Sequence, residues 1–377
     1  MLLNENQSLI QATVRDFAKR RLQPRSAEWD RSGHFPAEEI KTAGSLGLCG
    51  MTVPVDDGGA GADTLSYAIA IEELAAGDGS VSTIISVTNL VSRILARFGS
   101  PTQRSEELIA LATGEALGCF CLTEPHAGSD ASAIRTRAVR DGDFYVLNGT
   151  KQFVTSGRNA DLAVVFAVTD PDAGKRGISA FLVPTTNDGY VVSRLEEKLG
   201  QHASDTAQIT LDNCRIPASS LIGQPGEGYK VALSNLEYGR VGIAAQCVGM
   251  ARSALECAIA YSRDRQSFDK PLSEHQAVAF RLADSATTLE SCRLMVWHAA
   301  ALQDAGLPGL KQACMAKLFA SEQAEKICSA AIQVLGGYGY LKDFPVEQIY
   351  RDVRVAQIYE GTSDIQKMVI CRHLFDN

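Results

Sequence analysis

A chain of 377 residues that is 45% hydrophobic is long enough for two or three domains with sizeable cores. Its formal net charge of -8, without any dense run of Lys and Arg, argues against a main task of holding nucleic acid or an anionic membrane surface. Small-molecule chemistry is the natural reading.

The chain enters an amphipathic pattern at once, through Ile10, Val14, Phe17 and Leu22, with acidic residues mixed in. This predicts neither a signal peptide nor a transit segment, and no apolar run reads as long enough to span a bilayer. The expectation is a soluble protein of the bacterial cytoplasm, or of the mitochondrial matrix for a mature eukaryotic chain. From Asn4 to about Leu117 the periodicity is helical, with Pro36 leading into a helix over 37–46 and a second helix starting near Thr64. The glycine-rich 54–61 stretch lacks a preceding strand and phosphate-type spacing, so it reads as a loop.

Near Cys119 the period switches to alternation. Residues 144–147 run into Asn148-Gly149, which predicts a hairpin turn with 151–155 as the returning strand. Further short strands are predicted over 162–168, 178–183, 190–193 and 207–211. After Gly223-Gln224-Pro225-Gly226 helical spacing returns, predicting long helices over 229–263, 274–304 and 308–335. The expected fold is mainly α with an inserted β domain: an N-terminal helical domain over 1–118, a central β-barrel-like domain over 119–222, and a C-terminal four-helix bundle over 223–377. The ten cysteines stand singly in apolar segments, as at Cys247, Cys257, Cys292, Cys314 and Cys328. The Cys119-Phe120-Cys121 spacing suits neither a disulfide nor a zinc site, so the thiols read as reduced core residues and no metal is expected.

Three stretches concentrate chemistry. In Ile358-Tyr359-Glu360-Gly361-Thr362-Ser363-Asp364 a carboxylate between apolar residues and a helix start sits in a half-dry turn, where desolvation raises its pKa toward neutrality. Such a group can take a proton from carbon. Thr362 or Ser363 is the expected N-cap and Asp364 complements the first turn. In Phe120-Cys121-Leu122-Thr123-Glu124-Pro125-His126-Ala127-Gly128-Ser129-Asp130, small and hydroxylated residues can face the polar edge of a planar heterocycle, although the segment alone also reads as an ordinary Gly-Ser-Asp turn. In Gln333-Val334-Leu335-Gly336-Gly337-Tyr338-Gly339-Tyr340, the paired glycines end a helix and allow close backbone approach.

In this order and spacing, the Leu-Thr-Glu-Pro-x-Ala-Gly-Ser-Asp run and the Gln-x-Leu-Gly-Gly-x-Gly run, followed by Arg351-Asp352 and Tyr359-Glu360-Gly361-Thr362-Ser363, resemble the two signature regions of the acyl-CoA dehydrogenase family. The resemblance covers essentially the whole chain. It implies an FAD-dependent oxidoreductase acting on a CH–CH bond, with an acyl-CoA as substrate and an electron-transferring flavoprotein as electron acceptor. It also implies a homotetramer, because the family shares its FAD site between subunits.

Carried over by position, it makes Glu360 the base, with its backbone N–H holding the thioester carbonyl. Phe120, Leu122, Thr123, Gly128 and Ser129 match the loop bordering the flavin, and Phe153, Val154 and Thr155 match its second wall, Phe153 standing where the family often has Trp. Arg265, Ser267, Phe268 and Gln276 match the segment that reaches a neighbouring subunit's FAD. Gln333, Gly336 and Gly337, with Thr362 and Asp364, match the loop over the nucleotide half. Ser129, Glu237, Arg240, Tyr359 and Gly361 match substrate contacts. Gly239 occupies the position where a minority of the family carries its base, so Glu360 stands alone in that role. The acyl cavity is expected between the segments 86–94 and 236–248. The same fold also carries acyl-CoA oxidases, flavin monooxygenases and nitroalkane oxidases, and retention of Glu360 favours α,β-dehydrogenation; a nucleic-acid-associated flavoprotein would need a basic surface.

Overall fold

The computed structural model describes residues 2–375. Its N-terminal part comprises α1 (Glu5–Phe17), α2 (Gln23–Ser32), α3 (Ala37–Ser45), α4 (Thr64–Gly77) and α5 (Gly79–Phe98), then two short helices, α6 (Pro101–Gln103) and α7 (Ile109–Thr113). The starts follow from local chemistry. Asn4 and Gln7 form a reciprocal capping box on α1, Asp63 caps α4 through the Ser66 N–H, and Asp78 caps α5 through the Val81 N–H.

The central part is an eight-stranded sheet: β1 (Gly118–Cys121), β2 (Arg137–Asp141), β3 (Phe144–Thr155), β4 (Leu162–Val168), β5 (Ile178–Pro184), β6 (Tyr190–Leu195), β7 (Thr206–Pro217) and β8 (Leu221–Ile222). Their order is β6-β7-β3-β2-β4-β5-β8, with β1 pairing in parallel beside β4. The period of two sorts the side chains. On β4, Ala163, Val165 and Ala167 enter the core of the β domain, whereas Val164 and Phe166 pack toward Val91, Ile94 and Leu95 of α5. On β1, Cys119 and Cys121 join that β core, and Phe120 turns to the opposite face, against Phe166 at 4.9 Å between rings.

The hairpin expected at Asn148-Gly149 is not there. Residues 144–155 form one continuous strand, and the register against β7 shifts between Leu147 and Gly149. Asn148 Oδ1 accepts the Asn213 N–H, and a Cβ on Gly149 would lie 2.4 Å from Thr136 Oγ1, so this Asn-Gly makes a bulge under a neighbouring strand. The turn instead falls at Asp141-Gly142-Asp143, where Gly142 has φ 58.

Long helices follow: α8 (Gly228–Asp264), α9 (Gln276–Asp304), α10 (Leu310–Leu335), α11 (Val346–Val353) and α12 (Ser363–Phe375), with a small hairpin β9 (Gln266–Ser267) and β10 (Lys270–Pro271) between α8 and α9. Against the expectation from sequence, α5 and α8 are each long and apolar enough to cross a membrane. Their apolar windows are 83% and 72% buried inside the protein, so the hydrophobicity serves packing. Gly249 marks the crossing of α4 and α8, where an added Cβ would lie 2.1 Å from Glu72 O.

A buried polar chain ties the three parts together. Gln246 Nε2 donates to Gly79 O, Ser82 Oγ and Thr83 Oγ1; Thr83 Oγ1 donates to Gln201 Oε1, and the Gln201 N–H donates to Asp352 Oδ1. Burial pushes the Asp352 carboxyl up to about 8, partly offset by that N–H and reinforced by Asp78 and Asp30. Because the folded value lies above the ordinary one, the associated stability is greatest in acid and is lost as pH rises toward about 8. Asp352→Asn, which keeps an acceptor for Gln201, is therefore expected to raise the apparent melting temperature by a few degrees near pH 8 and by much less near pH 5. Thermal scans at the two pH values check this; equal shifts at both would contradict it.

Candidate active site

Glu360 and Gly361 are consecutive left-handed residues, with φ 52 and 88. Glycine adopts this freely, but a glutamate there costs on the order of 1–3 kcal/mol, so the surroundings must hold it. They do so from below. Gln366 Nε2 donates to Glu360 O at 3.1 Å and to Gly361 O at 2.8 Å, and Lys317 Nζ donates to Gly361 O at 2.7 Å. On one flank the Tyr359 hydroxyl donates to Gln246 Oε1, and on the other Thr362 Oγ1 accepts the Ile365 N–H at 3.3 Å, capping α12 as expected.

The carboxylate lies on α8. A Cβ on Gly239 would be 2.7 Å from Glu360 Oε2 and 3.1 Å from its Cδ, so only glycine leaves that space open. Oε2 is buried and has no hydrogen-bond partner among the described residues. Burial pushes the Glu360 carboxyl above its ordinary value, and the positive charges of Arg240 and Lys317 pull it part of the way back. An unpartnered, desolvated carboxylate facing a gap is suited to accepting a proton. One turn along α8, a Cβ on Gly242 would meet Tyr67 Oη at 2.4 Å and Ser86 Oγ at 3.1 Å. Tyr67 bonds Ser86 at 2.9 Å and stacks on Tyr238 at 4.3 Å between rings, so the space between α5 and α8 is narrow and ends in polar groups.

The remaining sequence-predicted residues fall into two groups. In the first, the Gln152 N–H donates to Thr123 O, bringing the 122–130 loop beside Phe153. The loop is clamped by Lys151, fully buried, which donates to Glu124 Oε1 at 2.8 Å and to Leu122 O at 3.2 Å. Phe153 has φ 58 and is 65% exposed. Leu122 and Val154 are both buried, and the Val154 side chain belongs to the β core, so only its backbone is available to a ligand at that wall. Thr155 is half-buried, and Gly128 and Ser129 are exposed, with open space beside Gly128.

In the second group, Arg265, Phe268 and Gln276 are exposed and Ser267 is half-buried on the β9–β10 hairpin and the start of α9. Arg265 and Tyr338 lie on one cavity with Tyr261 and Phe344. Among the described residues no hydrogen bond or aromatic pair joins this group to Glu360 or Phe153. Gln333, Gly336 and Gly337 are exposed at the end of α10, and an added Cβ at either glycine meets nothing within 4 Å. Asp364 is exposed and 3.9 Å from Lys367. Glu237 is half-buried and Arg240 buried; they form no ion pair with each other, and Arg240 Nε has no hydrogen-bond partner among the described residues.

Three domain profiles match the chain in order: "Acyl-CoA dehydrogenase, N-terminal domain" over residues 4–115, the middle domain over 119–214 and the C-terminal domain over 226–375. The chain belongs to the acyl-CoA dehydrogenase family. It is 47% identical over 373 residues to the mitochondrial short-chain specific acyl-CoA dehydrogenase of Homo sapiens, covering 99% of this chain and 90% of that protein. Its fold matches a chain in a structure of the electron transferring flavoprotein of Acidaminococcus fermentans, with TM-score 0.98, 40% identity and full coverage of both. It also matches a glutaryl-CoA dehydrogenase from Mycobacterium smegmatis in complex with FADH2, with TM-score 0.95, 37% identity and coverage of 100% and 96%.

Within this acyl-CoA dehydrogenase fold, the sequence reading does not single out Lys317, Tyr67, Gln246 or the Lys151–Glu124 pair. Lysine inside the apolar run Met315-Ala316-Lys317-Leu318-Phe319 is the signal that was available, since a lysine is almost never fully buried without a partner; Lys151, between Thr150 and Gln152, carries no such signal.

Proposed function

We propose that this chain is an FAD-dependent acyl-CoA dehydrogenase for short-chain thioesters, with Glu360 taking the α proton of the substrate. The observation that carries the reading is the buried, unpartnered Oε2 of Glu360 held over Gly239. The open glycine edges at Gly128, Gly336 and Gly337 and the outward ring of Phe153 fit a large planar cofactor with a nucleotide tail. Phe120, Leu122, Thr123, Gly128, Ser129, Phe153, Thr155 and the Val154 backbone would hold its ring; Gln333, Gly336, Gly337, Thr362 and Asp364 its nucleotide side. FAD, when bound, supplies the two-electron acceptor.

The chain's own residues do the rest. The Glu360 N–H, presented by its left-handed backbone, polarises the thioester carbonyl and so acidifies the α carbon. The carboxylate receives the proton, and its raised pKa brings it closer to neutral pH, where a base transfers most effectively. Arg240, Glu237 and Ser129 lie on the CoA side. The narrow space at Gly242, bounded by Tyr67 and Ser86, supports a short acyl tail. Butyryl-CoA is accordingly expected to bleach the flavin faster than octanoyl-CoA in anaerobic mixing. A faster reaction with octanoyl-CoA would contradict the short pocket.

The same reading makes an electron-transferring flavoprotein the acceptor and the assembly a homotetramer. Phe268, with φ 51 and 89% exposed, and the exposed Phe280 and Phe375 support a bundle surface that is covered by other subunits. It also divides the chain near residues 118 and 222, where β1 begins and β8 ends.

A further inference from the structure

We propose that Lys317 is a positioning residue for proton abstraction: its buried ammonium anchors the Gly361 carbonyl and holds the neighbouring Glu360 carboxyl in its ionised, reactive form. This deepens the assignment of Glu360 as base and rests on it. Lys317 lies in Met315-Ala316-Lys317-Leu318-Phe319 on α10 and is fully buried. Its only hydrogen bond among the described residues is to Gly361 O, at 2.7 Å, and no carboxylate lies within ion-pair distance.

Burying an ammonium with so little compensation is costly, so the position has a function beyond packing. The groups that act on it are Cys247 and Arg240 from α8, Cys314 from its own helix, and Glu360 from the loop above. Burial pushes the Cys247 thiol up to about 12, which leaves it neutral, so Glu360 is the one anion among them. Burial brings Lys317 down to about 8, so it is charged at neutral pH. Glu360 in turn faces Arg240 from α8 and Lys317 from α10, with the hydroxyls of Tyr67 from α4 and of Tyr359 beside it.

Two effects of Lys317 can be separated because Gln366 anchors the Gly361 carbonyl, together with that of Glu360, without charge. Lys317→Met removes the charge and one anchor; Gln366→Leu removes two neutral anchors. Losing a positive charge near a buried carboxylate raises its pKa further, so the acid limb of the flavin-reduction rate should move to higher pH.

The test uses the flavin-loaded protein mixed anaerobically with butyryl-CoA across a range of pH, and infrared difference spectra of the protonated-carboxyl band in the same variants without substrate. Lys317→Met is expected to move both the acid limb and the infrared titration up by about one unit or more, while Gln366→Leu lowers the rate without moving either. Unmoved titrations in a folded, flavin-replete Lys317→Met would overturn the proposal, as would equal shifts in both variants. Lys317→Arg, which keeps the charge, is expected to retain the parent's acid limb if it binds flavin. Glu360→Gln separates the two assignments: if that variant is still reduced normally, the base assignment itself fails, whereas an inactive Glu360→Gln beside an unshifted Lys317→Met defeats this proposal alone.

Discussion

Glu360→Gln is expected to bind flavin like the parent chain and to lose reduction by butyryl-CoA by about a thousandfold or more, the upper range for removing a positioned general base. The glutamine keeps the size of the side chain and the backbone N–H that faces the thioester. It cannot accept the α proton. Stability should not suffer at neutral pH, because burial already disfavours the charged carboxylate, and removing that charge relieves a desolvation cost that grows as pH rises. Flavin absorbance of the purified variant and rapid anaerobic mixing measure the two parts separately. Near-normal bleaching would remove the base assignment.

Gly239→Ala should be a loss of activity without a loss of fold. The added methyl would lie 2.7 Å from Oε2 and 3.1 Å from Cδ of Glu360, and the tip of a side chain gives way more easily than a helix. Alanine also favours a helix interior over glycine by up to about 1 kcal/mol, so thermal stability is expected to hold or rise. The displaced carboxylate misses the α hydrogen, and a misplacement of about 1 Å can cost on the order of a hundredfold in rate. Gly249→Ala, on the same helix, provides the contrast: its Cβ would lie 2.1 Å from the Glu72 carbonyl in α4, so the expected result is a destabilised protein. Stopped-flow reduction and melting curves on the two variants distinguish them, and an active, unshifted Gly239→Ala would move the carboxylate away from α8.

What was legible in the sequence was local. The cap at Thr362, the helix start near Thr64, the long helices and the strands over 162–168 and 178–183 each follow from neighbours a few residues away. Glu360 was legible because its flanking Ile358 and Tyr359 and the following glycine announce a dry turn before a helix. Asn148-Gly149 misleads for the converse reason: the local turn signal is overridden by Thr136 on the neighbouring chain segment and by the pairing with β7, neither of which is near in sequence.

The support of the base is equally non-local. Gly239 makes room for a carboxylate that follows it far along the chain, and Lys317 reaches from another helix to Gly361. Val154 shows the limit of motif matching. Its position aligns with the expected cofactor wall, but strand alternation sends its side chain into the β core and turns Phe153 outward.

The most direct test of the central claim separates proton removal from the redox step. A 3-thiaacyl-CoA has an acidic α carbon and sulfur in place of the β carbon, so it can exchange its α hydrogen but cannot be dehydrogenated. Incubated in heavy water with the flavin-loaded protein and followed by mass spectrometry, it is predicted to gain deuterium at the α position with the parent chain and not with Glu360→Gln. Equal deuterium uptake with both proteins would place the base elsewhere.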